Sequence, residues 1–274
     1  MIALVVTVPA SESELASDVL WSLGVLAVEE RDAGAGTDDH LVELWTSLGD
    51  DVDAITRAAE AFPQRWRWHL VEVDETVADS WRAHAVPTWV EADLVIAPAW
   101  VPFEVPEGAT VLRIEPGPTF GLGDHPTTVL SLRALRDAVF SGASVLDVGC
   151  GSGVLSVAAC VFGAARVDAV DIFPAAVPAT LHNAQLNGVA GRIAASTTPL
   201  VEIDQTYDVV VANILAPALI ELADDLKRVL APAGVLILSG VLAGHHQHVT
   251  DALRPLHVVE ERTRDGWAAV TLRW

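Results

Sequence analysis

The stretch Val145–Ala159, "VLDVGCGSGVLSVAA", governs how the rest of the chain is read. A short apolar run reaches Asp147, and three glycines follow at alternate positions, Gly149, Gly151 and Gly153. A helical pattern begins directly after them. Glycine is costly in an ordinary helix or strand, so three in one turn predict that something presses against the backbone there. Strand, glycine turn and helix form a unit of an open α/β sheet, whose ligands lie at the carboxyl ends of the strands.

Downstream, the pattern alternates helix and strand from about Pro126 onward. "SVLDVG", "RVDAVDI", "RIAAS", "YDVVVAN" and "GVLILSG" read as strands with helices between them. Such a series predicts a mostly parallel, Rossmann-like sheet covered on both faces. The tail "HVVEERTRDGWAAVTLRW" differs, because Asp265-Gly266 marks a hairpin between two alternating strands. A parallel sheet closed by a terminal antiparallel hairpin is not a plain dinucleotide fold.

Upstream, seven of the nine tryptophans precede residue 101, so the composition shifts and two domains are expected. The first stretch reads as strand, helix, strand, strand, helix, strand, with helices over 12–23 and 51–62. This βαββαβ order predicts a small α+β ferredoxin-like domain over residues 1–75. Residues 76–124 read as a proline-punctuated connector with short strands, and residues 125–274 as the α/β domain that carries the glycine turn. Trp66 and Trp68 share a strand face, where core packing is the default and a docking patch the alternative.

Of the 274 residues about half are apolar, enough for a sizeable core. No run approaches the roughly 20 apolar residues of a membrane helix, and the first residues lack the basic start of a signal peptide. Two cysteines, Cys150 and Cys160, suggest reduced thiols and a cytoplasmic location. Cys150 suits a position for a small residue, with a catalytic thiol as the alternative. The net charge of −21 opposes direct nucleic-acid binding and favours a basic partner or simple solubility.

Nicotinamide enzymes carry G-x-G-x-x-G, whereas Val154 occupies the third required position here. Asp171 lies 22 positions after Gly149, at the end of the next strand, where a carboxylate accepts hydrogen bonds from ribose hydroxyls. Asp147 offers a second carboxylate, either for an amino group or as a turn cap. A ribose without pyrophosphate fits S-adenosylmethionine. Asn213 falls at the carboxyl end of "YDVVVAN", where its amide oxygen suits an attacking amine; capping the helix near Pro217 is the other reading. Enzymes that methylate bases follow such an Asn with prolines and a stacking ring, but Ile214, Leu215 and Ala216 stand here. His245, His246 and His248 lack a partnering cysteine, so a solvated helix face is expected and no metal.

"FGLGDHPTT", "VLDVGCGSGVLSVAA", "AVDIFPAAVPATLHNAQLNGV", "VVVANILAPAL" and "GVLILSGVLAGH" together resemble the ribosomal protein L11 methyltransferase family. The resemblance implies a class I S-adenosylmethionine-dependent methyltransferase. It implies an N-terminal domain that recognises the basic ribosomal protein, and a catalytic domain that methylates its lysine side chains and N-terminal amine. It also implies that Phe120, Thr128, Gly149, Gly151, Asp171 and Asn213 contact the cofactor. Leu122 and Asp124 depart from a family stretch resembling F-G-T-G-T-H-P-T-T. Leu122 cannot donate a hydrogen bond, and Asp124 adds negative charge beside a cationic cofactor and substrate. Another protein lysine, a small amine, or a binding protein that has lost catalysis stay open as alternatives.

A lysine amine, with a reference pKa of about 10.4, must lose its proton before it attacks a methyl group. Asp124 or His125 is the candidate relay; the other reading of His125 is a residue that fixes the loop before Pro126. Asn213 and main-chain carbonyls are expected to aim the lone pair.

Overall fold

The computed structural model describes residues 2–23, 25, 28–33, 41–46, 48, 51–72, 85–115, 123 and 125–274. The chain divides into two compact units, Met1–Ala85 and Val86–Trp274.

The first unit runs β1 (Ile2–Pro9), α1 (Ser13–Ser22), β2 (Val28–Asp32), β3 (Leu41–Thr46), α2 (Val52–Ala59) and β4 (Arg67–Glu72). Its antiparallel sheet has the order β2-β3-β1-β4, the ferredoxin-like arrangement. β1 takes a central place because it is the most apolar of the four strands. Its Leu4, Val6 and Val8 are buried with Leu20, Val42, Leu44 and Ile55. Asp51 starts α2 by accepting the Ala54 N–H at 3.0 Å, and the helix ends at Ala59, short of the expected Phe62. Trp66 is core: it packs on Phe62 with ring centroids 5.9 Å apart, and its indole N–H donates to Glu12 at 2.8 Å. Trp68 packs at the margin of the same cluster.

The second unit opens with β5 (Thr88–Glu91), β6 (Leu94–Pro98) and β7 (Thr110–Ile114), a three-stranded sheet in that order. Then come α3 (Pro126–Ala138), β8 (Ser144–Val148), α4 (Val154–Val161), β9 (Arg166–Val170), α5 (Ala176–Leu186) and β10 (Ile193–Ser196). β11 (Tyr207–Asn213), α6 (Ala216–Glu221), α7 (Ala223–Arg228), β12 (Leu230–Leu242), α8 (Gln247–Ala252), β13 (His257–Arg264) and β14 (Trp267–Arg273) complete it.

The small sheet corrects the expected domain boundaries. Val90, Leu94, Ile96, Leu112 and Ile114 are at most 1% exposed and share one core with Val129, Leu132 and Leu135 of α3. Arg133 of α3 donates to the Val90 carbonyl at 2.7 and 3.0 Å, and Arg136 pairs with Glu91 at 2.8 Å and Asp93 at 2.6 Å. The strands expected inside a connector over 76–124 are therefore integral to the unit that begins at Val86. Their prolines lie at strand ends and loops, leaving the apolar residues between them free to pair and bury.

The main sheet has the order β10-β9-β8-β11-β12-β14-β13. Its strands are parallel through β12, and β14 runs antiparallel to both β12 and β13. Asp265 and Gly266 make the final hairpin with φ of 50° and 82°, as a two-residue turn with a right-handed twist requires. Helices α3, α4 and α5 bury one face of the sheet, and α6, α7 and α8 bury the other. The chain runs from β8 towards β9 and β10 on one side, and from β11 towards β12 on the other. The topology therefore reverses between β8 and β11, the place where open α/β sheets bind their ligands. No described helix is long and apolar enough to cross a membrane.

Candidate active site at the carboxyl ends of the strands

The glycine turn follows β8 directly. Gly149, Gly151 and Gly153 have φ of 76°, 52° and 78°, a left-handed region that side chains disfavour. The turn is tied to the next strand, because the amides of Gly149 and Cys150 both donate to the Val170 carbonyl, at 2.8 and 3.1 Å. Asp171 follows that carbonyl. Its Oδ2 accepts the Gly151 N–H at 2.8 Å and its Oδ1 accepts the Phe173 N–H at 2.9 Å. Each carboxylate oxygen has two lone pairs, so the partly exposed group keeps acceptor capacity towards its open side. Beside it Ile172 is 83% exposed, an apolar side chain left at the rim.

Asp147 lies beneath the turn and is completely buried. Its Oδ2 accepts the Ser156 hydroxyl at 2.6 Å, while Oδ1 has no partner among the described residues. Burial, and secondarily the charge of Asp171, push its carboxyl up to about 7. Burial and then Asp147 push the Cys150 thiol upward, so it stays protonated. A protonated, buried thiol serves as filler rather than nucleophile.

Asn213 is the last residue of β11, half-buried, and opposes Ser239 of β12. It does not cap α6: the capping position is Leu215, with no side-chain bond. Ile214, next to it, is a shared packing point. A Cβ on Gly149 would run into the Ile214 side chain, and one on Gly240 into the Ile214 carbonyl. The turns after β8, β11 and β12 thus interlock through two glycines and one isoleucine. Gly240 also marks the irregularity in the β12–β14 pairing.

Ser239 links Asn213 to the start of α3, since its hydroxyl lies 3.0 Å from the Ala268 carbonyl and 3.4 Å from the Thr127 carbonyl and can donate to either. There Thr128 is buried in the first turn, and His125 is the capping residue. The His125 Nδ1 lies 2.7 Å from the Thr127 hydroxyl and accepts the Thr127 N–H at 3.3 Å. Its ring meets Trp267 edge-on, with centroids 5.1 Å apart. This is the loop-fixing geometry, and it aims one ring nitrogen back at the backbone. Phe120, Leu122 and Asp124 lie outside the described residues.

The structure therefore gathers Asp147, Gly149, Gly151 and Asp171 around one turn, and Asn213, Thr128 and His125 around the neighbouring strand ends. Sequence reasoning missed Trp267, Gly240 and Ile172. A glycine at the end of an apolar strand signalled Gly240. An apolar residue after the strand-end acid signalled Ile172. Nothing local signalled Trp267, because only the antiparallel course of β14 returns it to this edge. His246 packs with Nε2 3.7 Å from Glu261 and Nδ1 3.3 Å from the Leu242 carbonyl.

The family model described as ribosomal protein L11 methyltransferase (PrmA) matches residues 2–274. The chain is 44% identical over 206 residues to the ribosomal protein L11 methyltransferase of Citrifermentans bemidjiense, covering 73% of this chain and 67% of that one. It is 38% identical over 285 aligned residues to the protein of that name from Chromohalobacter salexigens, covering 94% of each. Among solved structures, the ribosomal protein L11 methylase from Lactobacillus delbrueckii subsp. bulgaricus superposes with a TM-score of 0.63 at 31% identity. That superposition covers 69% of this chain and 97% of the other.

Proposed function

This chain belongs to the ribosomal protein L11 methyltransferase family, and on that footing we propose that it methylates amines of ribosomal protein L11 with S-adenosylmethionine as donor. The observation that carries the cofactor reading is the unpartnered, buried Oδ1 of Asp147 beneath a turn of left-handed glycines, with a second carboxylate at its side. A buried carboxylate oxygen without a donor is costly. A cationic ligand with its own N–H groups, seated on that turn, answers both features.

The residues present fit the donor. Gly151 lets the backbone approach the ligand closely, while Gly149 leaves its room to Ile214. Asp171 accepts from the ribose hydroxyls, and exposed Ile172 beside it covers an aromatic ring. Above about pH 7, where it is ionised, Asp147 attracts the ammonium end from beneath the turn. Thr128 closes the site from the side of α3. When bound, the donor supplies a methyl group activated on a positively charged sulfur.

The remaining work is orientation. Asn213 and neighbouring carbonyls accept hydrogen bonds from the incoming amine and point its lone pair into the crevice. His125, held by Thr127 and Trp267, forms the wall on the other side, and its ring is proposed to pass on the amine proton. The first unit recognises the basic substrate. Incubating the chain with labelled donor and total ribosomal protein tests this function. Label on the L11 band alone is the expected result, and label on other proteins or on none overturns it.

A further inference from the structure

Helix α5 carries Thr180 and Asn183 on one face, and Asn187 at its C-terminal cap. Asn187 Oδ1 accepts the Arg113 N–H at 2.9 Å, and its Nδ2 donates to the Arg113 carbonyl at 2.7 Å. Asn183 repeats the pattern two residues further along the chain, just past the end of β7. Its Oδ1 accepts the Glu115 N–H at 2.8 Å, and its Nδ2 donates to the Glu115 carbonyl at 2.9 Å. β7 is the edge of its three-stranded sheet. Alternate residues of an edge strand turn their N–H and C=O groups outward, and unpaired ones need cover. Two carboxamides four residues apart on a helix are neighbours in space. They meet residues 113 and 115 in the manner of a fourth strand.

The two asparagines differ in their second amide hydrogen. That of Asn187 returns to its own helix, at the Asn183 carbonyl, 2.8 Å away. That of Asn183 goes to the Ser152 carbonyl in the glycine turn, at 2.8 Å. Asn183 is completely buried, and all of its N–H groups are used. One turn earlier, the Thr180 hydroxyl donates to the Gly151 carbonyl at 3.3 Å.

We propose that Asn183 is a positioning residue for the donor: it ties the Ser152 carbonyl of the glycine turn to the end of β7, so the turn keeps its ligand-binding shape only while that strand is docked. This rests on the reading that the turn holds S-adenosylmethionine. Asn187 secures the same strand without touching the turn, and so separates holding the strand from shaping the turn.

Calorimetry of the full chain with S-adenosylhomocysteine tests the proposal. In the Asn183→Asp variant the carboxyl still accepts from Glu115, but it has at most one hydrogen for two carbonyls. The Asn187→Asp variant suffers the same loss at Arg113. The Kd is expected to rise about tenfold or more for Asn183→Asp and by less than about twofold for Asn187→Asp, with similar falls in Tm. An unchanged Kd for Asn183→Asp, or equal rises for both variants, overturns the proposal. Hydrogen exchange on the wild-type chain serves if Asn183→Asp does not fold. Ligand should then slow exchange of the Glu115 amide, by the reciprocity of coupled sites. An unaltered rate there overturns the proposal. A wild-type chain that gives no heat instead overturns the donor reading itself.

Discussion

Asn213 and Asp147 show how much a single side chain carries here. Asn213 makes no helix cap and stands half-buried at a strand end, so its removal costs little packing. Asn213→Ala is expected to lower kcat about 100-fold or more through lost orientation, with Tm nearly unchanged. Steady-state kinetics beside a melting curve checks this, and undiminished turnover removes Asn213 from the mechanism. Asp147 works against the fold. Its carboxyl, pushed up to about 7 by burial, holds a proton in the folded chain. The unfolded chain releases that proton near the ordinary value of about 3.9. Between these values the folded state binds more protons, so stability falls as pH rises towards 7, and the deficit is full above it. Asp147→Asn keeps the acceptor for Ser156 and removes the charge. It is expected to raise Tm by about 3 °C or more at pH 8, with a smaller gain at pH 5, and to weaken donor binding. A Tm difference that does not vary with pH refutes the account.

The turns after β8, β11 and β12 behave as one assembly because Gly149 and Gly240 leave room for Ile214 and nothing more. A methyl group on Gly240 would meet the Ile214 main chain, which is continuous with Asn213. Gly240 also has a φ of 84°, so alanine would be strained there. Gly240→Ala is therefore expected to displace Asn213 and lower kcat about tenfold or more, while donor affinity stays close to wild type. Kinetics combined with calorimetry separates the two effects, and equal losses in both would place Gly240 in donor binding. The glycine turn was legible in its own residues, since G-x-G-x-G after an apolar strand has few other uses. The partner of that turn was not. Ile214 lies 65 residues after Gly149 and reads as an ordinary helix-start residue until β11 pairs with β8.

Charge belongs to the whole chain. There are 37 acidic and 16 basic residues, and several of the arginines are occupied internally. Arg133 and Arg192 bond main-chain carbonyls, Arg136 and Arg262 pair with carboxylates, and Arg228 does both. The acidic excess would attract a cationic protein. For a basic ribosomal substrate, kcat/KM is expected to fall about tenfold or more between low and high salt. Donor affinity, set inside the crevice, should change far less. Initial rates across a salt series check this, and a flat profile discards electrostatic steering. The two units have separate cores. Residues 86–274 expressed alone are accordingly expected to bind the donor normally and to methylate the ribosomal protein poorly. Full methylation by that fragment would remove the recognition role of the first unit.

Local chemistry settled which elements form and where the glycine turn, Asp171 and Asn213 fall, because strand periodicity, left-handed glycines and strand-end polar residues are written in consecutive positions. The ferredoxin-like order, the parallel sheet and the Asp265-Gly266 hairpin were legible for the same reason. The association of residues 88–114 with the second unit was not, because short proline-flanked strands acquire their meaning only from the helix that covers them. The closeness of Trp267 to His125, the grip of Asn183 on two distant backbones and the burial of Asp147 were likewise decided by packing. Each depends on which strands become neighbours, and burial, unlike periodicity, is a property of the folded whole.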